Sequence, residues 1–235
     1  MSGGQTSRDA AYFDKIYAAS DDPWHFRSSP YEREKYAATL AALPPRRFRN
    51  GLEIGCSIGE LTRLLAPGCD SMCGLDIADA PLAIARACCA DLPHVGFVRA
   101  NVPRDWPAGR YDLIVLSEVL YFLSHGDRTA LANLVRRSLT NDGVVLLVNW
   151  LGLGDNPSSG DEAATGFIAA AAPDLCVDLR RRRELYRIDR LVRKGRPGLC
   201  PGPAGAVARD PHNKGSSEGT AKPIKYEDIL ASPFR

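Results

Sequence analysis

The stretch that most constrains the fold of this chain is residues 52–59, where an apolar run breaks into small residues just ahead of a helix-like pattern. We predict that residues 51–54 form a first strand and that residues 59–65 open the helix that follows. In open α/β sheets a turn of this kind lies at the carboxyl end of a strand, where such sheets bind their ligands. The turn is therefore the first candidate binding site.

Strand-like and helix-like patterns alternate after this turn. The clearest strand is residues 111–117, a nearly unbroken apolar run typical of a parallel strand that is buried on both faces. Further strands are predicted at residues 71–76, 95–99, 144–149, 175–179 and 186–193, with helices at residues 79–90, 127–139 and 161–172. The alternation predicts an α/β, Rossmann-like sheet of mostly parallel strands, joined by right-handed crossovers and covered by helices on both faces.

Helical spacing also precedes the first strand, at residues 8–19 and 31–43. These segments are not needed to build the sheet, so we predict that residues 1–45 form an N-terminal helical cap over its carboxyl edge. Residues 46–194 then form the core. Residues 195–235 are rich in Gly, Pro, Ser and charged residues, have almost no core-forming side chains, and are predicted to be a disordered tail.

The composition of the turn indicates the charge of its ligand. A pyrophosphate-binding turn has the pattern G-x-G-x-x-G, whereas here Ser57 replaces the middle glycine between Gly55 and Gly59. Two acids, Glu53 and Glu60, bracket the turn, which suits a cationic ligand. S-adenosylmethionine carries an ammonium and a sulfonium but no phosphate. Charge complementarity therefore favours it over NAD, FAD or ATP.

Polar side chains follow the next predicted strands in turn. Asp76 ends the second strand, where a carboxylate can accept hydrogen bonds from both ribose hydroxyls. Dinucleotide enzymes use the same contact, so Asp76 alone indicates only a ribose. Asn101 follows the third strand and offers an amide to an adenine edge, while Ser117 and Glu118 leave the fourth strand at the expected switch point of the sheet. The combination is far more specific than the glycine turn, which by itself is a tight strand–helix connection.

Composition argues against several other classes of protein. The net charge of +2 gives no support for a nucleic-acid or membrane partner. The seven cysteines form no C-x-x-C pair and the four histidines are not clustered, which argues against a metal site. No apolar run approaches the roughly 20 residues that span a bilayer. The N-terminus lacks the basic and apolar regions of a signal peptide, so a cytoplasmic protein is expected.

Two local predictions concern the second half of the sheet. The polar residues 141–143 predict a turn ahead of the fifth strand. Residues 186–191 alternate between apolar and charged side chains. We therefore expect several arginines there to form the solvated face of an edge hairpin, not a nucleic-acid surface.

Three stretches resemble the class I S-adenosylmethionine-dependent methyltransferases: residues 53–59 (EIGCSIG), 74–77 (GLDI) and 111–121 (YDLIVLSEVLY). A narrower match lies ahead of them, in residues 22–24 (DPW) and 31–35 (YEREK). Together with the turn, these resemble the nodulation protein S family, the rhizobial N-methyltransferases of Nod-factor synthesis. The resemblance covers residues 10–194.

The resemblance implies methyl transfer from S-adenosylmethionine to the free amine of the deacetylated, non-reducing terminal glucosamine of a chitooligosaccharide, leaving S-adenosylhomocysteine. It also implies a seven-stranded sheet whose last strand is antiparallel. A small oligosaccharide is then the expected partner, with the oligomeric state open and a monomer compatible. Two alternatives remain: a methyltransferase for another small-molecule amine, carboxylate or phenol, and a non-catalytic S-adenosylmethionine-binding module.

The expected site residues follow from the motifs and from the resemblance. Trp24, Tyr31 and Arg33 are candidates for a lid, with Arg33 expected to pair with the methionyl carboxylate. The full set of cofactor-binding candidates is Trp24, Tyr31, Arg33, Glu53, Gly55, Cys56, Ser57, Gly59, Asp76, Ile77, Asn101, Val102, Ser117 and Glu118. The catalytic candidates are Glu118 and Asp161, as carboxylates facing the acceptor, and Tyr121, as an aromatic face for a sugar ring. The plain alternatives are that Tyr121 is a core residue and that Asp161 only caps its helix.

Overall fold

Seven strands form one sheet in the computed structural model, which describes residues 6–152 and 154–195. The strands are β1 (Phe48–Ile54), β2 (Cys69–Asp76), β3 (Val95–Arg99), β4 (Tyr111–Ser117), β5 (Leu139–Trp150), β6 (Leu175–Arg182) and β7 (Tyr186–Arg193). All residues of β4 are buried, as its apolar run predicts.

The strands lie in the order β3-β2-β1-β4-β5-β7-β6. β1 pairs in parallel with both β2 and β4, so the order of the strands along the chain reverses at β1. β7 is antiparallel to its two neighbours, β5 and β6. The predicted Rossmann-like α/β class, with an antiparallel last strand, is confirmed.

Helices cover both faces of this sheet. They are α1 (Ala10–Ala19), α2 (Pro30–Leu40), α3 (Glu60–Leu65), α4 (Asp79–Cys88), α5 (His125–Ser138) and α6 (Gly160–Ala171). Apolar side chains of α5 and α6 pack on the face that carries Ile114 and Leu116. Those of α2 and α3 pack on the opposite face, with Leu113 and Val115. Alternate residues of β4 thus point to opposite faces of the sheet and pack against the helices on each face.

The start of α2 determines which of its charged side chains face the core. Ser29 caps the helix by accepting a hydrogen bond from the backbone N–H of Glu32, and Pro30 occupies the first turn, where it needs no donor. With this start, Glu32 and Lys35 are buried while Arg33 is exposed. Residues three apart share a helix face, so the burial of Glu32 and Lys35 is a single feature.

One predicted turn is wrong. Residues 141–143 belong to β5, which begins at Leu139 and pairs with β4 through a register shift. Polar contacts hold this irregular stretch in the sheet: Arg46 donates to the carbonyl of Asp142 at 2.8 Å, and Thr140 donates to the Asp142 carboxylate at 2.8 Å. An irregular stretch within β5, where the register with β4 shifts, therefore replaces the predicted turn.

The expected solvated face of an edge hairpin is also wrong for β7. This strand lies between β5 and β6, and it is β6 that forms the edge. Arg187 is 6% exposed and Asp189 is fully buried, and the two pair at 2.7 Å. Arg190 pairs with Asp178 at 2.9 Å. Arg187 is therefore a buried, paired charge and Arg190 a half-buried one, because β7 is an interior strand with packed side chains on both faces.

The predicted tail, residues 195–235, lies outside the described residues except for Gly195. α1 and α2 precede β1 as expected. Within residues 6–152 and 154–195, no helix is long and apolar enough to cross a membrane.

Candidate active site

A cavity of about 250 Å³ lies at the carboxyl ends of the central strands. Its position follows from the register, because Ile54 pairs with both Leu75 and Leu116. The residues that follow these three positions therefore meet at one edge of the sheet. This is the switch point at which open α/β sheets bind ligands.

Gly55 begins the turn where β1 ends. Its φ is +80°, and a Cβ atom here would lie 2.8 Å from the carbonyl oxygen of Ser117. Its N–H donates to the carbonyl of Leu75 at 2.9 Å. The chain thus passes between the ends of β2 and β4 too closely for any side chain, and backbone atoms line the cavity.

Asp76 ends β2 and lines the same cavity. Its Oδ2 accepts the backbone N–H of Ser57 at 2.9 Å, and its Oδ1 accepts that of Ala78 at 3.0 Å. Burial raises the pKa of Asp76 to about 6, although these hydrogen bonds oppose the rise. A backbone hydrogen bond from Ile77 also favours the carboxylate. A carboxylate has about four acceptor positions, so this group can still accept a hydrogen bond from a ligand.

Two carboxylates and one ammonium are buried together on the other side of Gly55. The Lys35 Nζ lies 2.5 Å from Glu118 Oε1 and 2.9 Å from Glu32 Oε2. Both Glu32 and Lys35 are 2% exposed, and all three residues line the cavity. Burial by itself lowers the pKa of Lys35, but the carboxylates of Glu118 and Glu32 raise it well above its ordinary value. We call Glu32, Lys35 and Glu118 the acid–lysine cluster.

The second oxygen of Glu118 is held from the opposite side. Its Oε2 accepts the Tyr121 hydroxyl at 2.8 Å and the backbone N–H of Trp150 at 2.8 Å. Glu118 also has a φ of +56°, in the left-handed region that a side-chain-bearing residue adopts at a cost. Strain of this kind is characteristic of functional positions, and here it turns the carboxylate into the cavity.

Aromatic side chains from the first helix and the loop after it close over the cavity. Tyr17 of α1 hydrogen-bonds the hydroxyl of Ser57 and contacts the Trp24 ring edge-on, with centroids 5.4 Å apart. Phe13 packs edge-on against Phe122 at 5.0 Å. The opening is therefore flanked by apolar surface that restricts water.

Many of the predicted site residues meet here. Those that line the cavity are Trp24, Gly55, Ser57, Asp76, Ile77, Asn101, Val102, Ser117, Glu118 and Tyr121. Asn101 and Val102 lie on the side of Asp76, because the N–H of the preceding residue, Ala100, donates to the Asp76 carbonyl at 2.8 Å. Glu118 and Tyr121 lie on the side of Trp150, whose N–H donates to Glu118. The turn at Gly55 and Ser57 therefore lies between two ends of the cavity, one formed by Asp76, Asn101 and Val102 and the other by Glu118 and Tyr121.

Glu53, Cys56 and Gly59 lie beneath the turn, outside the main cavity. Glu53 and Cys56 line a separate void of about 20 Å³. Glu53 accepts the Thr62 hydroxyl at 2.5 Å, and burial raises its pKa to about 8. Gly59 has a φ of +85°, and a Cβ there would lie 3.0 Å from Ala85 of α4. In this structure these residues shape the turn from below.

The other predicted residues point elsewhere. Arg33 is exposed and donates to the carbonyl of Ser28 at 2.7 Å. Tyr31 lies behind Lys35, with its ring centroid 4.9 Å from Nζ. Asp161 pairs with Arg182 at 2.6 Å and Arg187 at 2.8 Å, and the hydrogen bond from Arg182 helps to lower the pKa of the Asp161 carboxyl. The structure brings neither Arg33 nor Asp161 to the cavity, because each is used by a nearer partner.

Sequence reasoning missed Lys35, the more deeply buried of the two cations that line the cavity. Lys35 lies two residues beyond Arg33, and its spacing of three from Glu32 resembles an ordinary surface ion pair. Tyr17 and Phe13 were also missed as wall residues. The only available signal was that the helix carrying Lys35 precedes β1 and so can reach the carboxyl edge.

A second cavity, of about 600 Å³, adjoins the first. Tyr121 and Trp150 line both. The second is more polar and includes Arg128, Ser158 and Glu162. Two aromatic side chains therefore form the boundary between the first cavity and a more hydrophilic space.

Known proteins resemble this chain at the level of sequence. The sequence profile of the family described as Nodulation protein S (NodS) matches residues 11–149. Nodulation protein S of Rhizobium tropici is 35% identical over 123 residues, which are 50% of this chain and 51% of that protein. The protein of the same name from Sinorhizobium fredii is 33% identical over 120 residues, 50% of this chain and 56% of that protein. The chain spans about half the length of the curated relatives it matches.

Solved structures of methyltransferases also resemble this chain. A crystal structure from Pseudomonas syringae, described as a methyltransferase, is 34% identical and aligns 69% of this chain with 99% of its own, at a TM-score of 0.59. N-methyltransferase NodS from Bradyrhizobium japonicum WM9, in complex with S-adenosylhomocysteine, is 22% identical and shares the fold, with a TM-score of 0.70 over 79% of this chain and 98% of its own. Since the family profile matches more than half of the chain, the protein belongs to the nodulation protein S family.

Proposed function

We propose that the protein is an S-adenosylmethionine-dependent N-methyltransferase that methylates the free amine of the deacetylated, non-reducing terminal glucosamine of a chitooligosaccharide. The observation that carries this proposal is that Asp76 and Glu118, at opposite sides of the Gly55 turn, line one cavity. Membership of the nodulation protein S family supports both the cofactor and the acceptor.

The charges of the cavity fit S-adenosylmethionine. The charged residues of its lining are four acids and two bases: Glu32, Asp76, Glu118, Asp155, Arg8 and Lys35. An excess of carboxylates favours a ligand with cationic groups and opposes a pyrophosphate. In this proposal the Asp76 carboxylate accepts hydrogen bonds from the ribose, and the turn at Gly55 admits the methionyl part.

The remaining cofactor contacts follow from the lining residues. Asn101, Val102 and Ile77 are proposed to hold the adenine beside the ribose. Trp24 and its aromatic neighbours supply an apolar cover, which supports treating residues 1–45 as a cap on a core of residues 46–194. Glu53, Cys56 and Gly59 then act by shaping the turn.

Bound S-adenosylmethionine supplies a methyl group on a positively charged sulfur. The acceptor amine must be neutral to attack that carbon, and Glu118 is the carboxylate we propose to take up the proton that the amine loses. Most of the acceleration comes from holding the amine in line with the methyl group in a site shielded from water. The aromatic cover over the cavity is suited to that shielding.

The acceptor is proposed to enter through the second cavity. Tyr121 and Trp150 line both cavities and offer aromatic faces on which a sugar ring can stack. The polar groups beyond them, including Ser158 and Glu162, suit the hydroxyls of further sugar units. These features support an oligosaccharide more than a small apolar phenol.

Transfer of a labelled methyl group to chitooligosaccharides tests the proposal. One half of the panel carries a free terminal amine and the other half is fully acetylated. We expect label only in the first half. Label in both halves, or in neither, would contradict the acceptor. A second panel of simple amines, carboxylates and phenols then identifies another acceptor class, and binding of S-adenosylmethionine with no turnover on either panel would indicate a non-catalytic module.

A further inference from the structure

Lys35 is the most deeply buried cation of the cavity and has no place in the scheme above. Its side chain is 2% exposed and its Nζ touches Glu118 at 2.5 Å and Glu32 at 2.9 Å. The ring of Tyr31 lies below it at 4.9 Å, so carboxylates and an aromatic face surround the ammonium. Burying an ammonium is costly without such partners, which indicates a role beyond filling space.

The hydrogen bonds of Glu118 show which of its positions a substrate can use. Oε2 is fully occupied, because it accepts both the Tyr121 hydroxyl and the Trp150 backbone N–H. Oε1 accepts Lys35 and keeps one acceptor position. An acceptor amine can therefore reach Glu118 only at Oε1, beside the ammonium of Lys35. Lys35 and Tyr121 together hold the plane of the carboxylate from two sides.

The charge of Lys35 matters because Glu32 contacts the same nitrogen. Without the ammonium, two buried carboxylates would face each other, and one of them would take up a proton. If both carboxylates instead stayed ionised, an amine bound beside them would be held as an unreactive ammonium. Both effects oppose transfer at neutral pH. Other titratable groups face the cluster: Tyr31, Tyr36 and Tyr121 surround it, and burial raises the pKa of Tyr31 and Tyr36. Glu53 and Glu60 line a small void together with Glu32 and Glu118, and the charge of Asp22 acts on Glu32. All of these groups are unchanged in the variants compared below, so a difference between those variants reports on Lys35 and Glu32.

We propose that Lys35 is a positioning residue for methyl transfer, whose ammonium neutralises Glu32 and holds Glu118 as an oriented carboxylate with one open position for the acceptor amine. This inference rests on the proposed function and adds a residue to it. It assigns Lys35 to the acceptor side of the cavity, not to the carboxylate of the cofactor.

The test compares the pH dependence of kcat in the wild-type protein, Lys35→Met and the double variant Glu32→Gln/Lys35→Met. In Lys35→Met the acidic limb should move to higher pH by about one unit or more, because the proton-accepting carboxylate and the amine both become harder to deprotonate. At any fixed pH on that limb, a shift of one unit corresponds to a loss of kcat on the order of tenfold. The double variant removes the facing carboxylate, so its limb should move back towards the wild type.

Controls separate this role from a structural one. Lys15→Met, on the exposed side of α1, should keep the wild-type profile. The affinity for S-adenosylhomocysteine, measured by calorimetry, should stay close to wild type in Lys35→Met. Loss of rate at every pH with an unmoved limb, or a large loss of S-adenosylhomocysteine affinity, would overturn the proposal.

A second measurement does not depend on turnover. Infrared spectra at pH 7 should show an additional protonated carboxyl group in Lys35→Met that is absent from the wild type and lost again in the double variant. Its absence would overturn the charge-setting role. If the wild-type protein transfers no methyl group to any amine while this band appears, the proposed function fails but the charge assignment to Lys35 stands.

Discussion

The backbone N–H of Ser57 donates to Oδ2 of Asp76 at 2.9 Å, joining the turn after β1 to the carboxylate that ends β2. The contact is possible because β1 and β2 are parallel and in register, with Ile54 opposite Leu75. Asp76 therefore serves two purposes: it orders the turn, and it presents its remaining acceptor positions to the cavity. The turn and the proposed ribose site form one unit.

Replacement of Asp76 should remove both contributions at once. Asp76→Ala leaves the N–H groups of Ser57 and Ala78 without their acceptor and removes the proposed ribose contacts. Hydrogen bonds to a charged group contribute about 1.5–3 kcal/mol each, so we expect the affinity for S-adenosylhomocysteine to fall on the order of a hundredfold in calorimetry. Asp79→Ala is the matched control, since Asp79 is exposed and pairs with the exposed Arg99 at 3.4 Å. Equal affinities in the two variants would exclude Asp76 from the site.

A methyl group at Gly55 should act through the backbone. In Gly55→Ala the new Cβ lies 2.8 Å from the Ser117 carbonyl, at a φ of +80°. Backbone strain of this kind costs about 1–3 kcal/mol, so thermal unfolding should occur at a lower temperature and cofactor binding should weaken. Gly96→Ala in β3 meets no atom within 4 Å and serves as the control. A Gly55→Ala protein with the stability and affinity of Gly96→Ala would mean that the turn has room for a side chain.

The parts of the fold that sequence predicted well depend on local patterns. The apolar run of β4 and the strand at residues 95–99 were located to the residue. Asp76 was identified because its role depends on following a strand. By contrast, the alternation of β7 says nothing about its neighbours, and only the insertion of β7 between β5 and β6 explains why Arg187 and Asp189 are buried.

The site was harder to predict where partners are distant in the chain. Arg33 and Lys35 are both cations on one helix, and the sequence gives no reason to prefer the second. Lys35 is the one that lies on the buried face of α2, where it pairs with Glu118, a residue 83 positions away in the chain. Similarly, Asp161 resembles a free carboxylate in sequence, but Arg182 and Arg187 reach it from two strands.

The buried carboxyl of Glu53 should make stability depend on pH. Burial raises its pKa to about 8, from an ordinary value of 4.5, despite the hydrogen bond from Thr62. The folded state thus holds the proton more tightly than the unfolded state. The contribution of Glu53 to the free energy of unfolding is therefore complete below pH 4.5 and is lost as the pH rises through about 8.

Glu53→Gln should remove this dependence, because the amide keeps the shape without titrating. Between pH 5 and pH 8 the wild-type free energy of unfolding should fall relative to the variant by about 1.4 kcal/mol per pH unit. Urea unfolding at several pH values measures the slope. Glu184→Gln, at an exposed position in the turn after β6, should have the wild-type slope. Parallel curves for wild type and Glu53→Gln would show that Glu53 is ionised in the folded protein.

Removing the hydroxyl of Tyr121 should lower kcat more than it weakens cofactor binding. It donates to Glu118 Oε2 at 2.8 Å, while the ring lines both cavities. Tyr121→Phe keeps the ring but frees one side of the carboxylate, so the orientation of Oε1 towards the amine is less well maintained. A hydrogen bond to a charged group of this strength corresponds to a decrease in kcat on the order of tenfold. The affinity for S-adenosylhomocysteine should stay close to wild type.

Tyr111→Phe is the matched control. It removes a hydroxyl that donates to the Ala108 carbonyl at 3.2 Å, near the other end of β4. If both variants retain the wild-type kcat, Tyr121 acts only as an aromatic wall, and Glu118 needs no orienting donor on that side.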